Sequence, residues 1–333
     1  MSGEARMAAA AVSAAVELVA PKMALVEEEI QAHMRSRFGP IDEAGQYLSE
    51  TAGKRLRPLL VLLSAALAGY EGPDDVLLGA VFETVHTASL VHDDIVDEAV
   101  VRRGRAAANR VFGNSFAVLF GDFLYIRSVN MALRTKNMRL LEILAEATER
   151  MIEGELLGDR LRGRADVTRE QHLEIVERKT AALFSGACRV GAIIADAPPA
   201  VEDGLARFGL GLGMAFQLVD DLLDIVGNEA TVGKPVASDL REGRLTLPWI
   251  DLLRCGSAED RGAVLQVLKD GGFEKVSFRR LRSALEKNGC LEGTRVLAEE
   301  HAAAAIAALD GLPDGPHRDA LRRLPDALLV RRR

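Results

Sequence analysis

A basic excess is what this chain most plainly lacks: 42 Lys and Arg face 49 Asp and Glu, a formal net charge of −7, which argues against nucleic acid as a partner. The start carries no basic stretch ahead of an apolar run, since Glu4 precedes the Ala-rich segment and Glu17 lies within it, so a secretory signal is not expected. The longest early stretch free of charge and proline, Leu59 to Tyr70, is too short to span a bilayer. Cys188, Cys255 and Cys290 are far apart in sequence and offer neither a disulfide framework nor a zinc spacing. A soluble protein of the reducing cytoplasm is the expectation, with at most peripheral membrane contact. There is no Walker-type glycine loop, so ATP is not the obvious ligand. Aromatic residues amount to 5%, with one Trp and three Tyr, too few to wall a cavity with rings.

Aliphatic residues are plentiful instead. Hydrophobic residues make up 48% of the 333, enough for a sizeable core. They recur at spacings of three and four, as in Leu140, Ile143, Leu144 and Ala147, while alternating β-branched runs are scarce. The fold class read from this is all-α. Breakers at Gly39-Pro40, Gly72-Pro73, Gly163, Pro198-Pro199, Gly227 to Gly233, Gly271-Gly272 and Pro313 to Pro316 divide the chain into roughly ten or more helices. None has the length or polarity of an interdomain linker, so residues 1–333 read as one domain, with an N-terminal helix over 1–30.

Two acidic clusters stand out. In His92-Asp93-Asp94-Ile95-Val96-Asp97-Glu98 the apolar residues suggest a helix running through the acids, which puts Asp93 and Asp97 on one face. Asp220-Asp221-Leu222-Leu223-Asp224 repeats the offsets, with Gln217 one turn before Asp221. One such cluster is as readily a solvated helix face. Two copies of a self-repelling arrangement point to a positive partner, and carboxylates with substrate phosphate are the usual ligands of Mg²⁺. Glu83 and His86 also match half of a carboxylate-bridged di-iron site, but no second Glu-x-x-His occurs, which disfavours that chemistry. His86, seven residues before Asp93, faces the same side.

Basic residues flank the acids. Gly53-Lys54-Arg55-Leu56-Arg57-Pro58 places three cations before an apolar helix, a start suited to an anion. Arg102-Arg103-Gly104 follows the first cluster by a short turn, and Arg grips phosphate oxygens bidentately. Lys179, next to Thr180, sits in an apolar helix, where a buried ammonium needs an anion. Lys234 and Arg244 follow the second cluster. Carboxylates for metal flanked by cations for phosphate describe a pocket for a diphosphate ester.

Taken together, these motifs closely resemble those of the trans-prenyl diphosphate synthases, the polyprenyl synthetase family. The shared pieces are Gly-Lys-Arg-x-Arg-Pro at 53 to 58, the aspartate-rich motifs at 93 to 97 and 220 to 224, Arg-Arg-Gly at 102 to 104, Gly121-Asp122, Gly154-Glu155, Lys179-Thr180 and Phe216-Gln217, in the family's order. The resemblance implies a helical bundle around a central cavity, usually a homodimer. It implies that Asp93, Asp97 and Asp220 ligate Mg²⁺ bridging an allylic diphosphate, about three ions in all when substrate is bound. Asp94, Asp221 and Asp224 would support them. Arg102, Lys179, Gln217 and Lys234 would contact the allylic substrate, with Thr180 near the reacting carbon. Lys54, Arg57, His86 and Arg103 would hold isopentenyl diphosphate. Ala106, Gly158, His172, Ser238 and Arg244 depart from the usual pattern, and Arg244 is the one that touches the implied site, keeping charge but not the shape of Lys.

Chain length is the finer expectation. Ser89 and Ala88 lie about one turn before Asp93, and Val85 a further turn down; short-chain members carry bulky aromatics at the first two. A helical turn of about 5.4 Å is close to one isoprene unit, so small residues there suggest a product of about seven to ten units. Close helix packing is the plainer use of small residues. Phe82, Phe116 and Met131 are candidate floors. A shorter-chain synthase, a class I terpene cyclase and an inactive partner subunit are the alternatives; the few aromatics count against the second and the two intact acidic clusters against the third. Arg331, Arg332 and Arg333 read as a solvated tail.

Overall fold

A computed structural model describes residues 3–50, 53–102, 104–227 and 236–330. Helices dominate it, as the periodicity requires. Three N-terminal helices come first: α1 (Gly3–Leu18), α2 (Ala20–Met34) and α3 (Gly39–Ser49). Val26, Ile30 and Met34 are buried on α2 at every fourth position, the spacing of a single helical stripe. Helix α4 (Leu56–Leu67) is buried on nearly every side, from Pro58 to Ala65. Gly39-Pro40, Pro198-Pro199 and Pro316 open helices rather than separating them, because proline without its N–H fits a first helical turn.

The site is built on α5 (Asp74–Val96), α7 (Asn114–Leu133), α8 (Met138–Leu161), α10 (Ala182–Ile194) and α11 (Pro199–Val226). Between α5 and α7 lie a two-residue-per-strand hairpin, β1 (Val101–Arg102) and β2 (Arg105–Ala106), and the short α6 (Ala108–Phe112). Helix α9 (Arg169–Val176) runs directly into a π turn, Glu177–Ala181, before α10. The largest apolar cluster spans α2, α4, α5, α7, α8, α10 and α11, with Phe82, Phe120, Phe184 and Phe208 among its fully buried side chains.

A second cluster gathers around Trp249 on α13 (Leu247–Cys255), which follows the one-turn helix α12 (Ser238–Arg241). It is completed by α14 (Ala258–Asp270) and α15 (Phe278–Lys287). Helices α16 (Cys290–Ala308) and α17 (Pro316–Leu329) close the chain, with α16 packed along α11 and α17 along α1. Cys255 and Cys290, distant in sequence, bring their Sγ atoms to 3.9 Å, yet all three cysteines are free. Burial pushes the Cys188 thiol up to about 12, so it is not ionised at neutral pH.

Among the described residues one helix, α7, is long and apolar enough to cross a membrane. Its apolar residues divide between two faces. Ala117, Phe120, Leu124 and Met131 point into the core, while Leu119, Ile126 and Leu133 form an exposed stripe at a spacing of seven.

Candidate active site

The first acidic cluster occupies the end of α5, and the helix stops one residue earlier than the sequence suggests. Val96 is its last residue and Asp97 caps it, donating its backbone N–H to the Asp93 carbonyl at 2.8 Å. Piling carboxylates onto a helix C-terminus opposes the helix dipole, and leaving the helix lets Asp97 turn to external cations. Two guanidiniums meet it: Arg162 Nη2 lies 3.1 Å from Asp97 Oδ1, and Arg244 donates to the same oxygen. Asp94 is buried and accepts from Arg102 Nε at 2.7 Å, which the β1–β2 hairpin delivers. Asn109 on α6 donates to the Asp94 carbonyl at 3.0 Å and ties the hairpin's far end to α5.

Lys179 crosses toward this wall from the π turn. Its Nζ lies 3.6 Å from Asp93 Oδ2 and pairs with Glu155 on α8. Burial works to lower the Lys179 ammonium, but Asp93 and Glu155 outweigh it and hold the group above its ordinary value. The π turn sits between two glycines. A Cβ on Gly154 would lie 2.6 Å from the Lys179 amide nitrogen, and one on Gly213 would lie 2.5 Å from the Ala181 Cα. Only bare backbone on α8 and α11 therefore admits the turn, whose extra residue aims both Lys179 and Thr180 inward.

The second acidic cluster lies within α11, as its spacing suggests. Asp220 is exposed, and Asp221 is buried in a chain of polar contacts. Thr180 donates to Gln217 Oε1 at 3.0 Å, Gln217 donates to Asp221 Oδ1 at 3.0 Å, and His172 Nε2 lies 2.8 Å from Asp221 Oδ2. Asp224 accepts from the Ser238 hydroxyl at 2.7 Å and the Ser238 N–H at 2.9 Å, fastening α12 to α11. Burial raises the Asp224 carboxyl despite those bonds. Asp239 joins this wall: burial, followed by the charges of Asp224, Asp221 and Asp220, holds its carboxyl well above the usual range. Substrate-free, this wall has more negative charge than it can comfortably ionise.

A hollow of about 130 Å³ is lined by Glu155, Arg162, His172, Lys179, Thr180, Gln217, Asp221, Asp239 and Arg244; of the two aspartate clusters only Asp221 lines it, and Asp93 and Asp97 connect to it through Lys179 and Arg244. Arg244 and Lys179 line it and reach the first wall; Gln217, Asp221 and Asp239 belong to the second. Burial lowers the Arg244 guanidinium, with Asp93 pulling the other way. Among the described residues no cluster of three or more acidic, histidine or cysteine side chains is poised to hold a metal ion by itself. The first-cluster carboxylates carry Arg and Lys partners, whereas Asp221 meets Gln217 and His172 and Asp224 meets Ser238.

A second, smaller hollow lies beside α5, lined by Arg55, Glu83, His86, Asp94 and Arg102. Arg55 adopts a left-handed backbone (φ 50°) and binds Glu27 twice, at 2.9 and 3.0 Å, and Glu83 at 3.0 Å. That clamp fixes the loop carrying Lys54, which is exposed, and Arg57, whose guanidinium lies 4.9 Å from the Phe184 ring centre. Glu83 serves this clamp, which accounts for the Glu-x-x-His without di-iron chemistry. Arg103, Lys234 and Arg331 to Arg333 lie outside the described residues.

On the face leading away from Asp93, Val85 and Ala88 are buried and the Ser89 hydroxyl donates to the His86 carbonyl at 2.8 Å. Phe82 and Met131 are fully buried and Phe116 half-buried in a ring series from Phe112 to Phe123. Arg162, Asp239 and the pairing role of Glu155 escape sequence reasoning. Arg162 belongs to no motif, and only tertiary packing brings it to Asp97. Asp239 had a signal, an acid two residues into a short helix beyond the second cluster.

Residues 39–284 match the profile of the polyprenyl synthetase family. The chain is 40% identical to octaprenyl diphosphate synthase of Escherichia coli (strain K12) over 92% of its own length and 94% of that protein's. A crystal structure of decaprenyl diphosphate synthase from Rhodobacter capsulatus superposes with TM-score 0.91 at 40% identity, covering 97% of this chain and 99% of that one. Polyprenyl synthase from Caulobacter crescentus CB15, solved with calcium and isoprenyl diphosphate, superposes with TM-score 0.92 at 37% identity over 97% and 98%. By this family match and these relatives, the chain belongs to the polyprenyl synthetase family.

Proposed function

We propose that the main hollow, lined from α8, the π turn and α11, binds an allylic diphosphate through divalent metal, and that the smaller hollow beside α5 receives isopentenyl diphosphate. The chain is a prenyl-transferring enzyme of its family, with long-chain synthases among its relatives. The observation that supports the residue assignment is that Lys179 and Arg244 pair with Asp93 and Asp97 of the first wall and line the same hollow as Asp221 and Asp239 of the second. The donor set is all oxygen, which suits Mg²⁺, and a relative holds calcium, another hard cation, with its diphosphate ligand. Asp93 and Asp97 on one side and Asp220 on the other would hold the metal, supported by Asp94, Asp221 and Asp224. Bound there, Mg²⁺ neutralises the diphosphate and makes it a better leaving group.

The chain's own groups do the rest. Arg102, Lys179 and Arg244, now paired to the acids, exchange those partners for phosphate oxygens and stabilise the charge that builds on the leaving diphosphate. Gln217 orients Thr180 beside the carbon where the allylic cation develops. Lys54, Arg57 and His86 hold the second diphosphate, which keeps its ester bond and so requires cations alone. Attack of its alkene on the allylic carbon forms the new bond, and a proton is lost, to the departed diphosphate in this reading. Lys234 and Arg103 are assigned matching phosphate roles on sequence grounds.

Product length follows from the small residues below Asp93. With Ala88 and Ser89 in place of bulk, the growing tail is directed along α5 and α7 toward Phe82, Phe116 and Met131. Incubating the protein with farnesyl diphosphate, labelled isopentenyl diphosphate and Mg²⁺ is expected to give products of about seven to ten isoprene units, and Ser89→Phe to shorten them by at least one. A hydrocarbon formed without isopentenyl diphosphate would instead indicate a cyclase, and no turnover a non-catalytic subunit. The chain works as a single catalytic domain in the cytoplasm, and the exposed α7 stripe of Leu119, Ile126 and Leu133 is the contact face of a homodimer. Exposed Asp122 beside that stripe, with Arg127 on the same helix, favours a protein partner over lipid.

A further inference from the structure

We propose that Arg162 is an additional phosphate-binding residue of the allylic site, an inference that rests on the reading of that site given above. Arg162 caps the C-terminus of α8 and stands outside every motif by which the family is recognised. Its side chain turns into the main hollow, where Nη2 lies 3.1 Å from Asp97 Oδ1. The same oxygen accepts from Arg244. The two guanidiniums share that one carboxylate oxygen, while Glu242 lies 3.2 Å from Arg244 and Asp159 3.4 Å from Arg162.

The backbone makes the pairing deliberate. Gly163 N–H donates to the Gly243 carbonyl at 2.8 Å, so the residues next to that bond, Arg162 and Arg244, are delivered side by side. Arg162 packs closely there, since a Cβ on Gly243 would lie 3.2 Å from its Cγ. The guanidinium also keeps donors in hand. Its Nε is buried and makes no hydrogen bond, with Asp159 Oδ1 placed 3.4 Å away as an ion-pair neighbour. A guanidinium offers five N–H groups in a planar fork that matches phosphate oxygens. Once Asp97 is committed to metal, Arg162 and Arg244 lose their shared acceptor, and the diphosphate is the anion within reach of both.

The test compares wild type with Arg162→Gln, Arg162→Lys and Asp159→Asn. Farnesyl thiodiphosphate, which does not ionise readily, is titrated calorimetrically with Mg²⁺ present, and KM is measured separately for farnesyl and isopentenyl diphosphate. Arg162→Gln is expected to weaken the analogue about tenfold and raise the farnesyl diphosphate KM alike. The isopentenyl diphosphate KM should stay within about twofold, Arg162→Lys should recover part of the loss, and Asp159→Asn should behave as wild type. Undiminished analogue binding in Arg162→Gln would overturn the inference, as would an equal loss in Asp159→Asn, which marks a helix-end role. If the Gln variant does not fold, Arg162→Lys decides: an intermediate loss supports the assignment and wild-type affinity overturns it. Wild-type protein that binds no analogue at all would instead sink the reading of the allylic site itself.

Discussion

At the scale of single residues, Glu202 shows how pairing offsets the cost of burying a charge away from the active site. It starts α11 and accepts from Arg139 on α8 at 2.8 and 2.9 Å and from Arg189 on α10 at 2.8 Å, joining three helices through one carboxylate. Burial alone would raise its carboxyl, but the bonds from Arg189 and Arg139 outweigh that and hold it below the ordinary 4.5. A depressed folded value means the stabilisation is present above the unfolded chain's titration range and lost as pH falls through the folded value. Glu202→Gln is therefore expected to cost about 1–3 kcal/mol at pH 7 and much less after acidification below that range, checked by urea unfolding at both pH values. The active-site acids behave oppositely. Asp224 and Asp239 are raised, so their ionisation opposes folding, a cost that a cation held between them would offset.

At the scale of elements, the π turn between α9 and α10 brings two neighbouring residues, Lys179 and Thr180, to the same hollow. Its fit depends on Gly154. Gly154→Ala would press a methyl against the Lys179 backbone and displace the turn, with an expected loss of at least about tenfold in kcat and about 1–3 kcal/mol in stability. Steady-state kinetics alongside thermal unfolding would check both. What the sequence reveals divides at this scale. Helical spacing makes the aspartate clusters legible, since an offset of four survives any tertiary arrangement. The buried Lys179 was legible too, because an ammonium in an apolar stretch needs an anion, and Glu155 and Asp93 supply it. Arg162, Asp239 and the Cys255–Cys290 contact were not, since each depends on how distant helices meet. The end of α5 was misplaced by one residue because Asp97 is drawn out of the helix by arginines the local sequence does not show.

At the scale of the whole molecule, an apolar core positions two acidic clusters and leaves an apolar stripe of α7 uncovered. Leu119, Ile126 and Leu133 are exposed on α7, whose opposite face packs against α5 and so backs the first wall. A dimer joined there would brace α5 from behind. Leu119→Asp with Ile126→Asp is expected to shift the protein toward monomer in sedimentation velocity, with little loss of helical circular dichroism; an unchanged sedimentation coefficient would exclude this face. If both walls serve one metal–diphosphate site, calorimetric titration of farnesyl thiodiphosphate in the presence of Mg²⁺ will show it in wild type, Asp97→Asn and Asp220→Asn. Each single change, made on opposite walls, is expected to weaken binding by about tenfold or more, and removing Mg²⁺ to abolish most of the difference between the three proteins. Full-strength Mg²⁺-dependent binding in either variant would contradict a shared site.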